Sequence, residues 1–184
     1  MALEEAGINL EIPAMDEGDF EHLTISAQIS VLERTLSGSS ACLVGSSMGG
    51  YLASLYASRH SEIARLVLLA PAFGFASHWR DKALAMYGSE PPAFFEVYHY
   101  GEKRMRRVHS SLIEEALAFP ADPEFLQPAL IFHGLHDDTA PIANSRAFAG
   151  AHANAKFIEL DSDHELLNVL DRITEEAVRF LTFE

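Results

Sequence analysis

The hydrophobic positions of this chain change their period several times. Residues 25–36, ISAQISVLERTL, place Ile25, Ile29, Leu32 and Leu36 at helical spacing. Residues 41–45, ACLVG, form a short apolar run closed by glycine and predict a buried strand. GGYLASLYASRH then returns to a helical pattern with Leu52, Leu55 and Tyr56 on one face. ARLVLLAPAF predicts a strand stopped by Pro71, which has no N–H for a ladder. Further on, PALIFHG predicts a strand, IANSRAFAGAH a helix, AKFIEL a strand, and residues 165–181 a long amphipathic helix. Wholly apolar strands alternating with helices indicate a mostly parallel sheet with helices on both faces, an α/β fold.

The alternation stops at about residues 74–127. That segment holds Trp79, Tyr87, Phe94, Phe95, Tyr98, Tyr100 and Phe119, is broken by Pro91-Pro92, and predicts a small, mainly helical cap inserted into a single domain of residues 1–184. Within it, Met105, Val108, Leu112, Ala116 and Phe119 make a stripe at helical spacing. Lys103, Arg104, Arg106 and Arg107 then fall outside the apolar face, as a solvated basic face or as an anchor for an anionic substrate. At the N-terminus MALEEAGINL predicts a helix and EIPAM a short strand.

Composition narrows the function classes. A formal net charge of −14 disfavours nucleic acid and anionic membrane as partners. The single cysteine, Cys42, excludes an internal disulfide, and its apolar surroundings predict a small buried side chain. The acidic N-terminus does not read as a signal peptide and no apolar run reaches a membrane-spanning length, so the expected location is the cytoplasm.

Candidate chemistry begins where the first apolar strand breaks. Gly45-Ser46-Ser47-Met48-Gly49 has the form G-x-S-x-G between a predicted strand and a predicted helix. So sharp a turn strains the central residue and lifts its hydroxyl clear of the sheet, and the flanking glycines are expected to permit the close approach. The helix that follows offers unpaired N–H groups to a developing negative charge. A serine hydroxyl needs a base, and the base needs an orienting carboxylate. Two loops after strands supply them: LIFHGLHDDTAP offers Asp137, with Asp138 as runner-up, and FIELDSDHELLNVL offers His164. All three loops belong at the carboxyl edge of the sheet, where open α/β sheets hold ligands. His133, His136, Asp137 and Asp138 are also dense enough to be weighed as a metal site, but the triad explains the loop more completely and neither metal nor cofactor is expected.

LVGSSMGGYLA, LIFHGLHDDTAP and SDHEL resemble the nucleophile elbow, acid loop and histidine loop of the α/β-hydrolase superfamily, especially its small bacterial serine esterases and thioesterases. The resemblance implies Ser47 as nucleophile, Asp137 as acid, His164 as base, and the Met48 backbone N–H as an oxyanion donor. It implies a small-molecule ester or thioester as substrate, with some of Trp79, Phe94, Phe95 and Tyr98 lining the acyl site. Members of that superfamily carry an earlier strand ending in a His-Gly type motif, whose loop supplies a second oxyanion donor. Here the only His-Gly is His133-Gly134, so the N-terminal strands are expected to be truncated. A hydrolase-fold binding or scaffold protein without a complete oxyanion hole is the alternative function.

Overall fold

The computed structural model describes residue 4 and residues 6–89, 91–99 and 101–182. Their regular elements are α1 (Ile25–Leu36), β1 (Ala41–Ser46), α2 (Met48–Ala57), β2 (Ile63–Leu69), α3 (Phe75–Tyr87), β3 (Phe94–His99), β4 (Arg104–His109), α4 (Ser111–Ala116), β5 (Ala129–Gly134), α5 (Ile142–Ala151), β6 (Ala155–Leu160) and α6 (Leu170–Thr182). The chain divides into two compact units, one of residues 1–12, 38–73 and 122–184, the other of residues 13–37 and 74–121.

The first unit is built on a four-stranded sheet of order β1-β2-β5-β6. Every pairing is parallel, with Val44 beside Val67, Val67 beside Leu130 and Phe132 beside Ile158. Helices cover both faces, because neighbouring residues of a strand point to opposite sides. On β5, Phe132 packs in a cluster with Val67, Leu130, Leu160, Ile173 and Ala177, the last two from α6. Its neighbour His133 instead meets Ser145 of α5. The six residues of β5 are all buried, which is why a run apolar at every position but His133 reads as a central strand.

β1 is outermost among the described strands and pairs with β2 alone. Cys42 and Val44 are therefore exposed, which corrects the expectation of a buried Cys42. The EIPAM segment forms no strand: Pro13 has no N–H to give a ladder. Of the helix expected over MALEEAGINL, residues 1–3 and 5 lie outside the described residues, and the remainder turns at Gly7, whose N–H bonds to Glu4 O at 2.9 Å. The final helix starts at Leu170 and not at 165, because Leu166 takes a left-handed φ of 58° and a short 3₁₀ turn intervenes.

In the second unit α1 has the predicted bounds. Thr24 caps it by accepting from Ala27 N–H at 3.1 Å, and the Glu115 carboxylate of α4 accepts from the Ile25 N–H at 2.6 Å. Residues 103–119 are not one helix. Arg104–His109 is a strand paired antiparallel with β3, Phe95 beside Val108 and Val97 beside Arg106, and α4 follows separately. The run FFEVYH is aromatic and β-branched, and pairing with it outweighs the helical spacing of Met105 and Val108. The arginines are engaged: Arg104 and Arg106 pair with Glu102, and Arg107 with Glu21 while lying 4.8 Å over the Phe94 ring.

Candidate active site

Because β1, β2, β5 and β6 run parallel, the turns that follow them lie along one edge of the sheet. Ser47 occupies the turn between β1 and α2, with φ 52° and ψ −117°, a strained conformation for a residue with a side chain. The end of β2 frames it. The Ser47 N–H donates to Leu69 O at 2.8 Å, and its carbonyl accepts from Ala72 N–H at 3.0 Å. Met48, the first residue of α2, has no intrahelical acceptor for its N–H, so a donor sits one residue beyond the serine.

The glycines of the turn divide their labour differently from the expectation. A Cβ on Gly45 would lie 2.5 Å from Gly49 C and 2.7 Å from Gly50 N, and one on Gly50 would lie 3.0 Å from Pro71 Cβ. A Cβ on Gly49 would meet nothing within 4 Å. Gly45 is thus the residue that lets α2 leave the strand so abruptly, while the second glycine of the G-x-S-x-G pattern is sterically unnecessary. Gly45→Ala should lower unfolding stability by about 3 kcal/mol or more, since backbone is what it would displace. Gly49→Ala should be neutral or stabilising by up to about 1 kcal/mol, as helical Gly→Ala changes are. Urea melts of the two variants check the contrast.

Asp137 follows β5 and His164 follows β6. The Ser47 Oγ–H donates to His164 Nε2 at 3.1 Å, and the His164 Nδ1–H donates to Asp137 Oδ2 at 2.7 Å. The Asp137 side chain has 0% exposure and that of His164 8%. Asp137 Oδ1 accepts from the N–H groups of Thr139 and Ala140 at 2.9 and 2.8 Å. Burial works against the charged carboxylate, but hydrogen bonds from His133, His164, Ala140 and Thr139 outweigh it and hold Asp137 below the usual carboxylate range. A lowered folded-state value means stability that is present above the ordinary titration near 3.9 and lost as pH falls through the folded-state value. Urea midpoints should therefore fall from about pH 5 downward, and fall less steeply in Asp137→Asn.

Gly134 brings the acid and histidine loops together. A Cβ there would lie 2.9 Å from Ser162 C, and closer still to the carbonyl oxygens of Ser162 and Asp163. The histidine loop is fixed in turn: Asp163 Oδ1 accepts from Glu165 N–H at 3.0 Å and Leu166 N–H at 3.3 Å, and Asn168 binds the Ser162 hydroxyl and Asp161 O.

The remaining candidates separate. Asp138 is exposed and accepts from the Thr139 hydroxyl at 3.2 Å, with no histidine as its hydrogen-bond partner. His136 is exposed and pairs with Asp161, whereas His133 is wholly buried against Ser145 and Asp137. No group of three or more His, Cys, Asp or Glu among the described residues is arranged to hold a metal. His133 also stands beside the acid, its Nε2 3.1 Å from Asp137 Oδ2. Its signal in the sequence is a single polar residue inside the otherwise apolar ALIFHG.

The parallel sheet and its three carboxyl-edge loops define the α/β-hydrolase fold. Solved structures that share it include Est1E from Butyrivibrio proteoclasticus with ferulic acid bound (TM-score 0.82, 21% identity, 97% of this chain and 78% of that one). They also include a monoacylglycerol lipase from Paleococcus ferrophilus (TM-score 0.70, 17% identity, 98% and 86%) and alpha/beta hydrolase domain-containing protein 10 from mouse (TM-score 0.69, 19% identity, 97% and 80%). The chain belongs to the uncharacterised protein family UPF0227, whose family model matches residues 1–182. No curated protein matches it in sequence. No described helix is long and apolar enough to cross a membrane.

Proposed function

We propose that the chain is a serine hydrolase that cleaves a small carboxylic ester or thioester through an acyl-enzyme. The observation that carries this reading is the continuous set of hydrogen bonds from Ser47 through His164 to Asp137. Structural neighbours that include a monoacylglycerol lipase and a ferulic acid complex support an acyl substrate.

In the acylation step His164 Nε2 takes the Ser47 hydroxyl proton as Oγ attacks the substrate carbonyl carbon. The carbonyl π pair moves to oxygen, and the Met48 N–H faces that developing charge. Asp137 keeps the His164 proton on Nδ1, so that Nε2 is free to accept. The tetrahedral adduct collapses, the C–O or C–S bond breaks, and the leaving group departs with the proton from Nε2. Water then repeats the sequence on the acyl-Ser47 ester and releases the acid. Residues 1–184 are read as a single hydrolase domain with a cap insertion at about 74–127, acting in the cytoplasm without a cofactor.

Incubation with a fluorophosphonate probe followed by peptide mapping tests the reading. Stoichiometric modification at Ser47 is the expected result. A folded protein left unmodified would favour the binding or scaffold alternative.

A further inference from the structure

His133 lies in the acid loop's supporting strand but takes no part in the steps just described. It is the fifth residue of β5 and has 0% exposure. A ring nitrogen buried in a strand whose preceding residues are Ala129, Leu130, Ile131 and Phe132 costs stability unless it is hydrogen-bonded, and an aliphatic residue would extend the same apolar run. Both nitrogens have partners. Nε2 lies 3.0 Å from Ala140 O and 3.1 Å from Asp137 Oδ2, and Nδ1 lies 2.8 Å from Ser145 Oγ. Two acceptors at Nε2 place a proton there, and the Ser145 hydroxyl then donates to Nδ1. Ser145 is itself fully buried on α5.

The oxygen that His133 meets is the one that receives His164. Asp137 Oδ1 has two backbone donors, and Oδ2 has the Nδ1–H of His164 and lies 3.1 Å from His133 Nε2, whose N–H it shares with Ala140 O. Three donors and the shared His133 N–H on two oxygens restrict rotation of the carboxylate. The His133 donor also draws on the negative charge that His164 would otherwise feel alone.

We propose that His133 is a positioning residue for the acid: its Nε2–H holds Asp137 Oδ2 in place and tempers the charge presented to His164, with Ser145 holding His133 in the required tautomer. This rests on reading Ser47, His164 and Asp137 as the reacting set. Without the donor, Asp137 presents more charge to the imidazole and keeps it protonated to higher pH.

The test follows the histidine ring nitrogens by ¹⁵N NMR. In the wild-type protein His133 should carry its proton on Nε2; a neutral Nδ1–H tautomer would overturn the proposal without any variant. His133→Phe should raise the titration midpoint of His164 by about one pH unit. It should also lower kcat on a p-nitrophenyl ester by about tenfold to a hundredfold, as loss of a partner behind a functional histidine or carboxylate does, with KM little changed. His133→Gln, which keeps a donor near the Nε2 position, should return most of both. If His133→Phe does not fold, the comparison of His133→Gln with Ser145→Ala stands in its place, the latter shifting His164 upward and the former not. A folded His133→Phe whose His164 titrates as in wild type would show that the ring serves packing alone. Hydrolysis by wild type that is unchanged in Ser47→Ala would instead remove the underlying reading, and the two failures are told apart by which measurement moves.

Discussion

Replacing Ser47 by alanine is expected to leave the fold intact and to lower ester hydrolysis by roughly five to six orders of magnitude. The structural half of that expectation follows from the turn. Alanine keeps the Cβ, so the strain at φ 52° is unchanged, and the backbone bonds to Leu69 and Ala72 do not involve the hydroxyl. The hydroxyl's hydrogen bond is to His164 Nε2, which in the variant faces the space that substrate or water would fill. The chemical half follows from losing the oxygen that forms the acyl bond in the proposed mechanism. Circular dichroism and thermal melts on the purified variant, beside its rate on a p-nitrophenyl ester, check both halves. A near wild-type rate would mean that the hydrolysis arises elsewhere.

Asp137→Asn has the second largest expected effect, a loss of about 10⁴-fold in kcat. The backbone N–H groups of Thr139 and Ala140 require an acceptor at the Oδ1 position, so the asparagine oxygen settles there. Its NH₂ group is then turned toward His164 Nδ1. A donor facing Nδ1 forces the imidazole proton onto Nε2, and a protonated Nε2 cannot accept from Ser47. The backbone geometry thus selects the unproductive tautomer. Asp138→Asn, altering an exposed side chain bonded to the neighbouring Thr139 hydroxyl, should retain near wild-type kcat. Equal losses in the two variants would contradict the assignment of the acid.

Much of the sheet was legible because burial on both faces leaves a plain mark. ALIFHG has no polar alternation to confuse, and its six residues are the central strand β5. The bounds of α1 were legible from the helical spacing of Ile25, Ile29, Leu32 and Leu36. The ribbon of β3 and β4 was not. Met105, Val108 and Leu112 satisfy a helical spacing locally, and only pairing across the turn with the FFEVYH segment decides otherwise. Cys42 sits in a run as apolar as the central strands, and its exposure depends on the place of β1 in the sheet order, a tertiary fact. The loop residues Ser47, Asp137 and His164 were legible as types in chain order, because each follows a strand. The bracing by His133 was not, since it requires knowing that β5 turns this residue toward α5 and that the acid loop folds back over it.

The same limit applies to the two glycines of the elbow. The pattern G-x-S-x-G names Gly45 and Gly49 alike, yet only Gly45 has backbone within reach of a Cβ. Gly50, outside the five-residue pattern, is held closer to Pro71 than Gly49 is to anything. Which glycine is required depends on where the neighbouring chain passes.

The most direct measurement is acyl-enzyme trapping. Rapid mixing with p-nitrophenyl acetate, acid quench and peptide mass mapping should find a burst of nitrophenol matched by one acetyl group on Ser47, with neither in Ser47→Ala. Hydrolysis that proceeds without a burst and without acetylated Ser47, in a protein whose His164 and Asp137 are intact, would contradict covalent catalysis at the elbow.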